Sequence, residues 1–244
     1  MHASTQAKNP WCNLPRKGPF VLPEDRSTIE SFNRQAKPEH QVRPEVLPVP
    51  FLGSLASANV VLLNLNPGII DQDFEIFRSN KDYVEQNRRT LSFTSDPSFF
   101  YLEPRFSYTE GYKWWFNRLR KLIVVCGHKT VAAKVMCIEY FPYHSEKYKP
   151  TTPLISSQHY GFSLARQALE SGKMIVAMRS HNLWLAQVPE LGSYPCIWLN
   201  SPRSGYVTPN NMPPGDFQRL VSAVSKPDPL PRPVRRFTSL FRKR

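Results

Sequence analysis

The sequence has no long apolar run and only four cysteines, and each shortage excludes a class of protein. No stretch of about 18 apolar residues occurs, so we expect no membrane-spanning helix. Residues 1–20 lack an apolar segment followed by a small-residue cleavage site, so we predict no secretory signal. The cysteines form no C-x-x-C pair, which argues against a zinc ribbon or an iron–sulfur cluster. We therefore expect a cytoplasmic protein with free thiols and no bound metal.

Acidic residues are scarce relative to basic ones. The 244 residues include 32 Lys and Arg against 19 Asp and Glu, a formal net charge of +13. This excess favours a polyanionic partner, with nucleic acid as the first choice and an anionic membrane surface as the alternative. Prolines (24) outnumber glycines (10), which predicts many extended or irregular segments. No obligate protein partner is indicated.

The C-terminal segment 226–244, KPDPLPRPVRRFTSLFRKR, carries much of the charge. Seven of its residues are basic and one is acidic, so it contributes +6 and leaves +7 on residues 1–225. Because its prolines prevent a continuous helix, we expect a flexible tail whose Arg235 and Arg236 bind DNA phosphates. Apolar side chains interleave with these charges, so a membrane surface is the alternative partner of the tail.

Short apolar runs alternate with helical patterns between residues 28 and 225. Buried strands are predicted over 59–65, 135–141, 173–178 and 195–199. Helices are predicted over 28–36, 71–91, 111–123, 156–171, 181–187 and 216–225. This alternation is typical of parallel β-α-β units, so we predict an α/β fold: a three-layer α/β/α sandwich with a central, mostly parallel four-stranded sheet. Residues 1–27 are predicted to form an irregular N-terminal arm, and 44–53 another irregular run.

Polar residues, proline and glycine follow each predicted strand. In open α/β sheets, functional loops lie beyond the carboxyl ends of the parallel strands. The four strand exits are Asn66-Pro67-Gly68, Pro142-Tyr143-His144-Ser145, Arg179-Ser180-His181-Asn182 and Asn200-Ser201-Pro202-Arg203-Ser204-Gly205. We therefore expect one polar site along one edge of the sheet.

Two of these exits carry a family resemblance. The segment Leu63-Asn64-Leu65-Asn66-Pro67-Gly68 resembles the first motif of the uracil-DNA glycosylase superfamily, in whose mismatch-specific and single-strand-selective branches a buried strand ends in a G-x-N-P-G turn. Asn64 stands where those branches carry the first Gly. The segment Asn200-Ser201-Pro202-Arg203 resembles the second motif, H-P-S-P-R or N-P-S-G, with its order shifted. The resemblance extends over strand order and spacing across residues 59–225.

The resemblance implies a DNA glycosylase that flips out a modified or aberrant pyrimidine base, hydrolyses its N-glycosidic bond and leaves an abasic site. It implies neither a metal nor a cofactor. The reaction needs a positioned water and hydrogen-bond donors aimed at the negative charge that grows on the departing base. By the resemblance, Asn66 positions the attacking water or contacts the base, and Asn200 stabilises the leaving base. His144 is the alternative for that second role, because the second motif is altered.

The resemblance also implies the substrate contacts. Pro67 and Gly68 let the backbone approach the flipped nucleotide, and Phe93 is the candidate for stacking on the base. Apart from the resemblance, Tyr143 follows a predicted strand and is a candidate for phosphate contact. The other candidate DNA contacts are Arg179, Ser201, Arg203, Ser204 and Tyr206. The family spacing places Phe93 on the base only if residues 71–90 are an inserted helix. Such an insertion would enlarge the pocket for a bulky base, such as the glucosylated hydroxymethylcytosine that an anti-phage glycosylase removes from phage DNA.

Other interpretations stay open from the sequence. The Asn-Pro-Gly turn can simply end a strand, Phe93 can belong to the core, and Tyr143 and His144 can make structural hydrogen bonds. The fold can also serve a catalytically silent nucleic-acid-binding protein. Residues 161–165, GFSLA, approach the hydrolase elbow G-x-S-x-G, so an acyl or small-molecule hydrolase using Ser163 or His144 is a third class.

Overall fold

Five strands form one mixed sheet at the centre of the computed structural model, which describes residues 8–227. The strands are β1 Phe51–Leu52, β2 Val60–Asn64, β3 Val135–Glu139, β4 Met174–Ala177 and β5 Ile197–Trp198. Their spatial order is β1-β3-β2-β4-β5, and all neighbours pair in parallel except β1, which runs antiparallel to β3. The predicted α/β class and the mostly parallel sheet are confirmed, but the sheet has five strands and not four. The tail residues Arg235 and Arg236 lie outside the described residues.

The additional strand, β1, lies within the proline-rich run 44–53 that was expected to be irregular. Phe51 pairs with Ile138, Leu52 pairs with Cys137, and the Glu139 N–H donates to the carbonyl oxygen of Pro50 at 2.9 Å. Prolines are tolerated here because an edge strand leaves one row of its backbone groups outside the ladder. Two residues are too few to produce a periodic pattern, so the sequence does not reveal this strand.

The helices flank the sheet between and around the strands. Those described are α1 Arg26–Gln35, α2 Asp71–Ser79, α3 Lys81–Leu91, α4 Glu110–Cys126, α5 His128–Lys134, α6 Gln158–Glu170, α7 His181–Gln187 and α8 Asp216–Val224. The predicted helix over 71–91 is two helices, because Asn80 is extended and its side chain caps α3 by accepting the Tyr83 N–H at 2.9 Å. Within 8–227, no helix is long and apolar enough to cross a membrane.

The sheet is buried on both faces, as its continuous apolar strands predict. Alternate β2 residues face opposite helical layers: Val60 and Leu62 belong to the cluster with α4, α5 and α8, whereas Val61 and Leu63 belong to the cluster with α1, α6 and α7. All four are fully buried. This alternation gives the three-layer α/β/α sandwich.

Many of the prolines begin short 3₁₀-helices. Of the seven 3₁₀-helices in the described part of the chain, six begin at a proline. They are Pro10–Asn13, Pro23–Asp25, Pro38–His40, Phe100–Leu102, Pro104–Phe106, Pro189–Gly192 and Pro209–Asn211. A proline fits the first helical position because its fixed φ suits the helix and its missing N–H would be unpaired there. The first two of these turns carry Trp11 and Leu22 into the core, so the described part of the N-terminal segment packs onto the sandwich.

A buried hydrogen-bond network fastens this N-terminal segment. The Tyr143 hydroxyl donates to Asp25 Oδ2 at 2.7 Å and accepts the Leu22 N–H at 3.1 Å, while Asp25 Oδ1 accepts the Ser157 N–H at 3.0 Å. Tyr143 and Asp25 are both almost fully buried. The network therefore replaces water around a buried carboxyl group.

Tyr143→Phe is expected to destabilise the protein by about 2 kcal/mol, because it removes two buried hydrogen bonds, one of them to a carboxyl group. Urea unfolding followed by circular dichroism measures this change. Tyr206→Phe is the matched control, since the Tyr206 side chain is exposed and its hydroxyl bonds to no described residue. Equal stability of the two variants would contradict a fastening role for Tyr143.

Candidate functional site

A cleft of about 710 Å³ lies beyond the carboxyl ends of β2, β3 and β4. Asn64 and Asn66 enter it from the end of β2, Glu139 from the end of β3 and Arg179 from the segment after β4. Because β2 lies between β3 and β4, the chain leaves β2 for one neighbour and later returns to the other. The cleft therefore occupies the switch point of the sheet, where α/β proteins bind ligands. This is the edge at which the strand exits predict a polar site.

The Asn66-Pro67-Gly68 turn forms part of the cleft lining. Asn66 is half-buried, and its Nδ2 donates to the Pro67 carbonyl oxygen at 3.1 Å and to Ser145 Oγ at 3.2 Å. Its Oδ1 accepts no hydrogen bond from the described residues. The amide is thus oriented by its nitrogen, and its oxygen is left for water or a ligand.

His144 joins the loop after β3 to this turn. Its Nδ1 lies 2.8 Å from the carbonyl oxygen of Gly68, so Nδ1 carries a proton and donates it. Burial lowers the pKa of His144 to about 4, so the ring is neutral at neutral pH. A neutral ring with this N–H committed to Gly68 positions the Asn-Pro-Gly turn, which agrees with the structural interpretation of His144.

A buried amide–carboxyl pair forms a second polar part of the lining. Asn64 Nδ2 donates to Glu139 Oε1 at 3.0 Å, and the Cys137 thiol lies 3.7 Å from the same oxygen. Asn64 Oδ1 and Glu139 Oε2 are buried without a partner among the described residues. Burial raises the pKa of Glu139 to about 7, against the hydrogen bond from Asn64 and the charge of Arg179, which lower it.

Glu139 is not among the predicted site residues, although the sequence carries a signal for a functional residue there. Glu139 is the one charged residue in the run VMCIEYF, and a charge inside a buried strand needs a partner or a function. In the sequence, Asn64 stands out only as a departure from the glycosylase motif. The two meet because β2 and β3 pair in parallel with Asn64 opposite Glu139.

An aromatic wall closes one side of the cleft. Phe77 comes from α2, Tyr83 from α3, Tyr101 from the 3₁₀-helix that follows and Trp114 from α4. The Tyr83 ring lies 5.4 Å from that of Phe77, edge to face, and 6.1 Å from that of Tyr101, nearly parallel to it. Burial raises the pKa of both tyrosines. The segment 71–90, expected as one inserted helix, therefore contributes cleft lining.

Phe93 and Tyr143 do not line the cleft. The Phe93 ring stacks on Phe51 with centroids 4.3 Å apart, on the face of the sheet with α6 and α7. The Tyr143 hydroxyl is held by Asp25 and Leu22, as described above. The structure thus gives both residues a packing role. Phe77 does line the cleft, and its ring lies 6.2 Å from that of His144, which holds the Asn66 turn.

Arg118 and Trp114 of the cleft lining meet the exposed side chain of Tyr206, and we call this part of the cleft its mouth. The Arg118 guanidinium lies 4.4 Å from the centre of the Trp114 ring and 4.7 Å from that of Tyr206. Burial lowers the pKa of Arg118. Arg118 also holds the loop after β5, since its carbonyl oxygen accepts the Val207 N–H at 3.0 Å. Tyr206, a predicted DNA contact, is therefore next to the cleft mouth.

The second motif lies outside the cleft lining. Asn211 holds its loop by accepting the Ser201 N–H at 2.6 Å and donating to the Tyr206 carbonyl oxygen at 2.8 Å. Asn200 is exposed on the surface, so the structure does not bring it together with Asn66. The other predicted contacts of this loop are exposed or half-buried: Ser201, Arg203 and Ser204.

The hydrolase interpretation of Ser163 has no support in its surroundings. Ser163 lies inside α6, where its Oγ donates to the Tyr160 carbonyl oxygen at 2.7 Å, and it is not part of the cleft lining. A nucleophile elbow would place it on a sharp strand-to-helix turn. Among residues 8–227 no group of three or more His, Cys, Asp and Glu side chains could hold a metal ion.

No family model, curated protein or solved structure matches the chain. The fold and the cleft therefore define its class by themselves: an α/β/α sandwich with a polar, aromatic-walled cleft at the switch point of its sheet.

Proposed function

We propose that the protein is a DNA glycosylase that excises a modified or aberrant pyrimidine and leaves an abasic site. The observation that carries the proposal is the free carbonyl oxygen of Asn66 in the cleft, with the amide oriented by Ser145. In a site partly withdrawn from water, such a fixed dipole can hold the attacking water without reorganising. The resemblance of the Asn-Pro-Gly turn to the glycosylase motif agrees with this role.

The reaction breaks the bond between the sugar C1′ and the base nitrogen, and the bonding electron pair leaves with the base. The water held by Asn66 Oδ1 forms a new bond to C1′ and loses a proton to solvent. Asn66 takes no proton itself, so its part is to orient the water. The aromatic wall provides stacking surface for a base that has left the duplex.

The size of the cleft supports a bulky base, and its basic side chains, four beside four acidic ones, offer contacts to DNA. Its volume lies within the range of about 300 to 1,000 Å³ typical of pockets that enclose a whole small ligand. Arg179 in the lining and Arg118 at the mouth can bind the phosphate backbone of DNA. Glucosylated hydroxymethylcytosine of phage DNA is the specific substrate that we propose, which would make the protein an anti-phage enzyme of the bacterial cytosol.

The direct test is incubation of the protein with single-stranded and duplex DNA that carries uracil, mismatched thymine or glucosylated hydroxymethylcytosine. Alkali then cleaves the strand at any abasic site, and gel electrophoresis locates the break. We expect cleavage at the position of one of these bases. Tight DNA binding with no abasic site on any substrate would instead favour the alternative, a catalytically silent nucleic-acid-binding protein.

Arg118→Gln is expected to weaken DNA binding and to reduce the slope of log affinity against log salt by about 1, because one cation at the cleft mouth is lost. Fluorescence anisotropy of a labelled oligonucleotide, titrated at several salt concentrations, measures both quantities. Arg120→Gln on the same helix is the control, since Arg120 is exposed and not part of the cleft lining. An equal or larger loss with Arg120→Gln would show that DNA does not enter at this mouth.

A further inference from the structure

The buried pair of Asn64 and Glu139 is not used by the hydrolysis assigned to Asn66. The two residues are 2 % and 4 % exposed, yet each has one oxygen without a hydrogen-bond partner among the described residues. Buried polar atoms are nearly always paired in folded proteins. Two unpaired oxygens on one amide–carboxyl pair in a cleft therefore indicate that the pair is completed by a ligand.

The chemistry of the two oxygens defines the ligand edge that would complete them. Asn64 Oδ1 accepts hydrogen bonds, as every amide carbonyl oxygen does, and the nitrogen of the same amide donates to Glu139. Glu139 Oε2 accepts when the carboxyl is ionised and donates when it is protonated. A complementary edge carries an N–H donor beside an unprotonated ring nitrogen. The exocyclic amine and N3 of cytosine form such an edge.

We propose that Asn64 and Glu139 bind the amine-bearing edge of a cytosine-type base, Asn64 Oδ1 accepting from the exocyclic amine and Glu139 Oε2 protonating N3. This inference rests on the proposed glycosylase function and names its substrate class. As the bond from C1′ to N1 breaks, its electron pair enters the ring and the Glu139 proton moves to N3. The base then leaves neutral. Glu139 regains a proton from solvent, and the water that attacks C1′ loses one to solvent.

The surroundings of Glu139 suit an acid of this kind. Its carboxyl is protonated in part near neutral pH because burial raises its pKa to about 7, which is where a general acid is most effective. The titratable and charged groups around it are Cys137 on the same strand, Arg179 after β4 and Tyr101 in the aromatic wall. Burial raises the pKa of both the thiol and the phenol, so neither ionises near neutral pH.

Uracil provides the contrast that makes the inference testable. Its ring carries two carbonyl groups, which stabilise the departing anion without an added proton. Its N3 already bears hydrogen, so it cannot take a proton from Glu139. Excision of uracil should therefore depend little on the acid, whereas excision of a cytosine-type base should require it.

The experiment compares single-turnover excision of cytosine-type bases, including hydroxymethylcytosine and its glucosylated form, with excision of uracil. Wild type, Glu139→Gln and Glu190→Gln are measured across the pH range around 7. Wild-type excision of the cytosine-type base is expected to fall with rising pH, about tenfold per unit above pH 7. Glu139→Gln should lose at least about 100-fold on that base while retaining any uracil excision. Glu190→Gln should keep the wild-type ratio, because Glu190 pairs with Arg166 at 3.0 Å, is exposed and is not part of the cleft lining.

The outcomes separate this inference from the proposed function. Excision of uracil by the wild type without any of a cytosine-type base would overturn the inference and leave the glycosylase standing. An equal loss on both bases in a folded Glu139→Gln protein would assign Glu139 a structural role and also overturn it. No excision of any base would remove the proposed function and this inference together. Binding of free cytosine over free uracil, measured by ligand-observed NMR and lost in Glu139→Gln, would support the recognition step independently of turnover.

Discussion

Asn66→Ala is expected to reduce base excision by about 10²- to 10³-fold while leaving DNA affinity within about twofold of wild type. The substitution removes the side-chain oxygen of Asn66, which accepts no hydrogen bond from the described residues. The turn itself should persist, because His144 holds it through the backbone carbonyl of Gly68 and Pro67 restricts the chain. The loss should therefore appear in the chemical step and not in binding.

Single-turnover rates of abasic-site formation measure the chemical step, and anisotropy titrations measure the affinity. Asn182→Ala is the matched control: Asn182 is exposed on α7, outside the cleft, and its side chain bonds to no described residue. Undiminished excision by Asn66→Ala would remove Asn66 from the mechanism. A parallel loss of affinity and rate would instead assign it to DNA binding.

The second large effect concerns stability. We expect the free energy of unfolding of Glu139→Gln, relative to that of the wild type, to increase by up to about 3 kcal/mol as the pH rises from about 4.5 to above 7. Burial raises the pKa of Glu139 from 4.5 to about 7. Between these values the folded protein binds a proton that the unfolded chain has released, so wild-type stability falls as the pH rises. Glutamine has no proton to lose and escapes this penalty.

Urea unfolding of the two proteins at several pH values measures this difference directly. His144 acts in the opposite direction, because its lowered pKa costs stability as the pH falls from 6.5 towards 4. That contribution is common to both proteins and cancels in the comparison. Glu170→Gln is the control for an exposed carboxyl, and it should follow the wild-type pH profile. A pH-independent difference between Glu139→Gln and wild type would mean that Glu139 ionises normally in the fold.

The central strands could be predicted from the sequence because burial on both faces requires continuous apolar residues. β2, β3 and β4 lie within the predicted runs and differ from them by one or two residues at their ends. The helices were predicted from their periodicity, except α5 His128–Lys134, which lies outside every predicted helix. The two-residue strand β1 and the break at Asn80 could not be found in this way, since neither changes the hydrophobic pattern.

The site was only partly predictable. Asn66, Pro67, Gly68, His144 and Arg179 were selected because polar residues after parallel strands converge, and all five line the cleft. Phe77 was missed because it lines the cleft from a helix, where no strand-end signal exists. Glu139 was missed because it lies inside a strand, although its charge in an apolar run was a signal. Asn200 also follows a strand, but β5 lies at the far edge of the sheet, beyond β4.

The sequence by itself determined the α/β class, the basic charge and the strand-end turn that contains Asn66, because each depends on residue type and local spacing. Only the tertiary structure decided which polar groups share the cleft. Strand register sets Asn64 opposite Glu139, and the packing of α2, α3 and α4 builds the aromatic wall. Both depend on contacts between segments far apart in the chain. The burial of Asn64 and Glu139, and their oxygens without a hydrogen-bond partner, therefore arise only when the chain has folded.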